Sequence, residues 1–113
     1  MNLKSKISTN KIVSLLVDKY QPEKVILFGS AAIGKANKES DIDLVVIKKT
    51  SKRFYDRIGD VLNILWAGEE TPKVGVDILV YTPEEFQVMS QDNYFVRDEI
   101  LGKGQTVYER SVD

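Results

Sequence analysis

The stretch Ser40-Asp41-Ile42-Asp43-Leu44-Val45-Val46-Ile47-Lys48 decides how this chain is read. Its β-branched run makes Asp41 to Lys48 a strand. Strand alternation then puts Asp41 and Asp43 on one face and Ile42, Leu44 and Val46 on the other. Same-face neighbours on a strand lie about 6 to 7 Å apart. Two like charges that close repel unless a cation stands between them or one takes a proton. Hard carboxylate oxygens of this kind suit magnesium or manganese. A polar turn or cap at the strand's start explains an isolated Asp-x-Asp equally well.

Two further segments bear on that choice. Downstream, Val74-Gly75-Val76-Asp77-Ile78-Leu79-Val80 carries one acid inside an otherwise apolar run, within a third strand expected over Lys73 to Tyr81. A buried charge is costly unless paired or metal-bound, so Asp77 is either a third ligand beside Asp41 and Asp43 or a residue of an edge strand facing water. Gly75 fits a bulge or a close approach of ligand. Upstream, the buried strand Lys24 to Phe28 ends in Gly29-Ser30 and a short helical turn, Ala31 to Lys35. Glycine admits close backbone approach, and amides at a helix start, joined by the Ser30 hydroxyl, make an anion cradle. An ordinary tight turn reads the same way.

Composition narrows the chemistry. The 113 residues include no histidine and no cysteine, which excludes Ser-His-Asp and Cys-His catalysis, zinc sites of the usual ligands and a disulfide framework. The 16 basic and 17 acidic side chains nearly cancel, which argues against a nucleic-acid partner. The balance hides a split: residues 1–57 are net +6 and residues 58–113 net −7. A basic half can attract a small polyanion, although segregated surface charge is the commoner meaning. No apolar run approaches the roughly 20 residues of a membrane span, and the polar start has no apolar leader, so a cytoplasmic protein is expected.

Without repeats or linkers, one domain over 1–113 is the simplest organisation. A first helix capped at Thr9 or Asn10 runs to Gln21-Pro22, and a second covers about Lys52 to Ala67 with Phe54, Ile58, Val61, Leu62 and Leu65 as its apolar stripe. Thr82-Pro83-Glu84-Glu85 is a capping box. A last helix over Asn93 to Leu101 stops at Gly102 and Gly104, and Gln105 to Glu109 can add a strand. The order α-β-α-β-α-β-α-α with a terminal β implies an α+β fold, a small mixed sheet with helices packed on it. Helical spacing assigns most of Phe86, Val88, Met89, Tyr94, Phe95 and Val96 to the core, with a partner surface as the lesser alternative. Trp66 is expected in the core too, ahead of a role as a base-stacking platform.

Taken together, Phe28-Gly29-Ser30, a ten-residue spacer, Asp41-x-Asp43 and the lone acid of Val76-Asp77-Ile78 resemble the minimal nucleotidyltransferases of the DNA polymerase beta-like superfamily, HEPN/MNT type. The resemblance extends through Thr82-Pro83-Glu84-Glu85-Phe86 and Glu99 to Glu109, and so over nearly the whole chain. It implies the nucleotidyltransferase fold, with Gly29 and Ser30 on the β- and γ-phosphates of a nucleoside triphosphate. Asp41, Asp43 and Asp77 would be catalytic and would hold two magnesium ions, or manganese. Two divalent ions at one carboxylate cluster stabilise the attacking and leaving oxygens of an in-line displacement, so no histidine base is needed.

The resemblance further implies transfer of a nucleoside monophosphate, AMP from ATP, to a hydroxyl acceptor. In minimal relatives the partner is commonly a helical HEPN-type protein, and the pair behaves as toxin and antitoxin, by AMPylation or by binding alone. A homo-oligomer is also compatible. The family's arginine-containing turn is replaced here by Ala31-Ala32-Ile33-Gly34, which removes a bidentate phosphate grip. Lys35, Lys38 or the cluster Lys48, Lys49, Lys52 and Arg53 could stand in, solvated surface being the commoner role for each. The missing arginines leave a second reading open: a catalytically silent module of the same fold that neutralises a partner by complex formation.

Overall fold

A computed structural model describes residues 3–29, 42–67 and 75–111. The elements are α1 (Leu3–Lys19), β1 (Lys24–Phe28), β2 (Ile42–Ile47), α2 (Phe54–Ala67), β3 (Val76–Tyr81), α3 (Pro83–Asp92), a π-helix (Phe95–Gly102) and β4 (Gln105–Glu109). The four strands form one sheet in the order β3-β2-β1-β4. β2 and β3 are parallel, while β1 is antiparallel to both β2 and β4. The mixed α+β architecture agrees with the sequence reading.

Strand alternation divides the sheet into two apolar faces. Val25 and Leu27, Ile42, Leu44 and Val46, and Ile78 and Val80 pack against Ile12 and Leu16 of α1 and Val61 and Leu65 of α2. On the opposite face Ile26, Phe28, Val45 and Ile47 meet Val96 and Ile100 of the π-helix, flanked by Leu79, Tyr81, Phe86 and Met89. β1 and β2, covered on both sides, are almost wholly buried, as their unbroken apolar runs require. Among the described residues no helix is long and apolar enough to cross a membrane.

Several boundaries depart from the sequence reading. α1 begins at Leu3, six residues before the expected cap, because Thr9 falls in phase with Ile12 and Leu16 and is buried among them. Packing overrides the capping preference of threonine. At its other end Gln21 takes the left-handed φ of 53° that glycine usually occupies after a helix. The Lys48 ammonium donates to the carbonyls of Tyr20 (2.7 Å) and Gln21 (3.3 Å), placing a cation where the helix dipole favours one. β3 starts at Val76 rather than Lys73, and the last helix is a π-helix shifted to Phe95–Gly102. The expected turn at Ala31 to Lys35 lies outside the described residues.

The capping box is as expected. The Glu85 amide donates to the Thr82 hydroxyl (3.2 Å), and the Thr82 amide donates to the Glu85 carboxylate (2.8 Å). That carboxylate also receives the Arg57 guanidinium at 2.7 and 3.3 Å. Arg57, buried on α2, donates further to the carbonyls of Lys52 (2.8 Å) and Val80 (3.3 Å) and so ties α2, β3 and α3 together.

Candidate functional site

The parallel register of β2 and β3 sets Asp43 directly opposite Asp77. The antiparallel register of β1 and β2 sets Phe28 opposite Asp43 on its other side. All three belong to the face that carries the π-helix, at the end of the sheet where β1 finishes and β2 and β3 begin. Asp43 is half-buried and Asp77 exposed. Of the two sequence readings of Asp77, the edge strand facing water is what the structure shows, and the register also makes the residue the cross-strand neighbour of Asp43. Just before β3, the Gly75 carbonyl accepts the Ile42 amide at 2.8 Å, which fixes where the parallel register starts.

Gly29 completes the arrangement. Its φ of +75° lies in the left-handed region, and a Cβ at this position would strike the Asp43 carboxylate. Two independent constraints thus demand glycine where β1 ends: the backbone turn and the side chain of the neighbouring strand. The bare Gly29 backbone lies against Asp43, and the chain leaves β1 beside the carboxylate pair.

Of the five residues singled out from the sequence, the structure brings together Gly29, Asp43 and Asp77, while Ser30 and Asp41 lie outside the described residues. Among the described residues no three carboxylates converge as a metal site. Asp43 and Asp77 supply oxygen donors from adjacent strands, the hard-donor chemistry that magnesium or manganese takes. Asp41, two residues before Asp43, is the remaining candidate ligand in the sequence.

Of the expected substitute cations, those that follow β2 lie elsewhere. Lys48, Lys49, Lys52 and Arg53 follow the far end of β2, roughly 16 Å of strand from Asp43 to the first of them. Lys48 closes α1, and Lys52 pairs with Asp60 at 2.7 Å, a contact that holds its ammonium pKa above the ordinary value. Lys35 and Lys38 are outside the described residues. At the far end the Arg57 hydrogen bond holds Glu85 below its ordinary range. Burial raises the Tyr81 phenol, with Glu85's charge adding to it. A groove lined by Val13, Val17, Asp18 and Tyr108 runs along α1 and β4 on the opposite face, remote from the acids.

A family model described as polymerase beta, nucleotidyltransferase matches residues 10–113. The chain belongs to the polymerase beta nucleotidyltransferase family. Solved structures place the same fold beside it. One chain from a toxin-antitoxin crystal structure with AMP-PNP superposes with a TM-score of 0.58 at 21% identity, over 90% of this chain and 73% of that one. A mutant of the toxin-antitoxin MntA-HpeT gives 0.58 at 21%, over 91% and 73%. A Sulfolobus solfataricus protein assigned as a nucleotidyltransferase gives 0.57 at 18%, over 97% and 91%. Among curated proteins no sequence matches significantly.

Two aromatic residues depart from the sequence reading, one of them near the site. Phe95, at the start of the π-helix, sets its ring against Phe28 (centroids 5.7 Å, interplanar 88°) and keeps 43% of its surface exposed. Its position depends on a helix type that α-helical spacing does not anticipate. Trp66, expected in the core, is 60% exposed at the end of α2, because the stripe set by Val61 and Leu65 turns it outward.

Proposed function

We propose that the chain is a magnesium-dependent nucleotidyltransferase that moves AMP from ATP to a hydroxyl acceptor. The observation that carries this reading is the cross-strand pairing of Asp43 with Asp77, against which the Gly29 backbone is packed. Asp43, Asp77 and Asp41 would be the oxygen ligands, and Gly29 and Ser30 would receive the β- and γ-phosphates at the turn. Bound divalent metal would supply charge neutralisation and activation of the acceptor hydroxyl.

The chain's own residues then do three things. The bare Gly29 backbone admits the phosphates close to Asp43. Asp43, held on a strand buried on both sides, fixes where the α-phosphate sits. Asp77, exposed at the edge, faces the side from which an acceptor can approach and takes its proton. The acceptor oxygen bonds to the α-phosphorus, the bond from that phosphorus to the bridging oxygen breaks, and pyrophosphate leaves with that electron pair.

We assign the acceptor to a partner protein of the helical HEPN type, with this chain as the antitoxin. Support comes from the likeness to chains of toxin-antitoxin structures, one of them solved with AMP-PNP. The test is transfer of label from α-phosphate-labelled ATP to the co-purified partner. Transfer that requires magnesium and disappears in Asp43→Asn supports the reading. Neutralisation of the partner without transfer, undiminished in Asp43→Asn, replaces it with the silent binding module.

A further inference from the structure

In the proposed site the triphosphate has contacts and the base has none. Phe28 is the cross-strand neighbour of Asp43, and the Phe95 ring meets the Phe28 ring edge to face. About 5 Å separates the paired Phe28 and Asp43 backbones and 5.7 Å the two ring centroids, so the single residue Phe28 stands between Phe95 and Asp43, a gap on the scale of a nucleotide. The two rings meet at right angles, and Phe95 keeps solvent-exposed surface beside that contact. Phe95 is 43% exposed although Val96 and Ile100 of the same helix are fully buried. It also opens an eight-residue π-helix, a rare form that concentrates at functional sites.

We infer that Phe95 is the platform on which the base of the nucleoside triphosphate stacks. This rests on the proposed nucleotidyl transfer and extends it from the phosphates to the base. Stacking is tolerant of base identity because every base has a π-face. Phe95 therefore raises affinity for nucleotides in general over affinity for bare polyphosphate. Phe28 beneath it is 8% exposed and holds the ring in place, so the platform is built before ligand arrives.

The experiment is calorimetric titration of two probes with magnesium, a non-hydrolysable ATP analogue and inorganic tripolyphosphate, into wild type, Asp43→Asn and three Phe95 variants. Phe95→Ala is expected to weaken the analogue about tenfold or more and to leave tripolyphosphate unchanged. Phe95→Leu, which keeps apolar volume and protects the fold, should do the same, whereas Phe95→Trp should bind the analogue at least as tightly as wild type. Unchanged analogue affinity in Phe95→Ala and Phe95→Leu overturns the inference while Asp43-dependent binding leaves the underlying reading standing. Equal weakening of both probes also overturns it, by assigning Phe95 a structural role through Phe28. Failure of wild type to bind either probe overturns both.

Discussion

The two ends of the β2–β3 strand pair use charge in opposite ways. At the far end, where both strands finish, Arg57 meets Glu85, Lys52 meets Asp60 and Lys48 meets two helix-end carbonyls. Each charge there completes a piece of local structure. At the near end the register brings two acids side by side and packs a glycine against one of them. Like charges in register weaken a fold, and the proposed metal-nucleotide site would account for their placement. On the proposed function, one strand pair has a structural end and a chemical end.

Substitutions at each end should separate activity from stability. The largest effect belongs to the acids: Asp43→Asn or Asp77→Asn should lower labelled-nucleotide transfer by several orders of magnitude. Thermal unfolding of the same variants should change far less than transfer does, because the register sets two acids side by side. A large fall in melting temperature instead would make the near end structural as well.

At the far end Arg57→Met should do the reverse. It removes donors to two carbonyls and to Glu85, which should cost about 2 kcal/mol in denaturant unfolding. Nucleotide affinity should stay as in wild type. Gly29→Ala sits between the two classes. The left-handed φ alone costs a non-glycine residue about 1–2 kcal/mol, and the new Cβ displaces the Asp43 carboxylate, so stability and transfer should fall together.

A smaller effect concerns acid. The Glu85 carboxyl is held below its ordinary value of 4.5, first by the Arg57 hydrogen bond and then by the Thr82 amide. A depressed carboxylate contributes stability that is fully present above pH 4.5 and is lost as pH falls through the lower folded-state value. Glu85 is 43% exposed, so solvent screens much of the gain. Unfolding curves of wild type and Glu85→Gln should therefore lie apart at neutral pH and converge at strongly acid pH; curves that stay parallel refute the linkage. The smallest effect is that of Trp66→Ser, within about 0.5 kcal/mol of wild type because the indole is exposed.

The same contrast marks what the sequence disclosed. β1 and β2 were legible because unbroken β-branched runs between turn residues have one good use, a strand covered on both faces. The capping box was legible because its partners are three residues apart. Gly29, Asp43 and Asp77 were legible as residue types, but only register makes them neighbours, and register is a long-range property. Arg57 was hidden by its charge: it falls in phase with Val61 and Leu65, yet an arginine is normally assigned to solvent. Phe95 was hidden by helix type, since a wider turn shifts side chains out of α-helical phase. Thr9 misled because a good cap residue is also small enough to pack inside a helix.

The central claim is that Asp43 and Asp77 form one magnesium-nucleotide site. Its most direct test is titration of a non-hydrolysable ATP analogue into wild type, Asp43→Asn and Asp77→Asn, each with and without magnesium. Binding that requires magnesium in wild type and is lost in both variants is the predicted result. Magnesium-independent binding, or equal affinity in all three proteins, would contradict it.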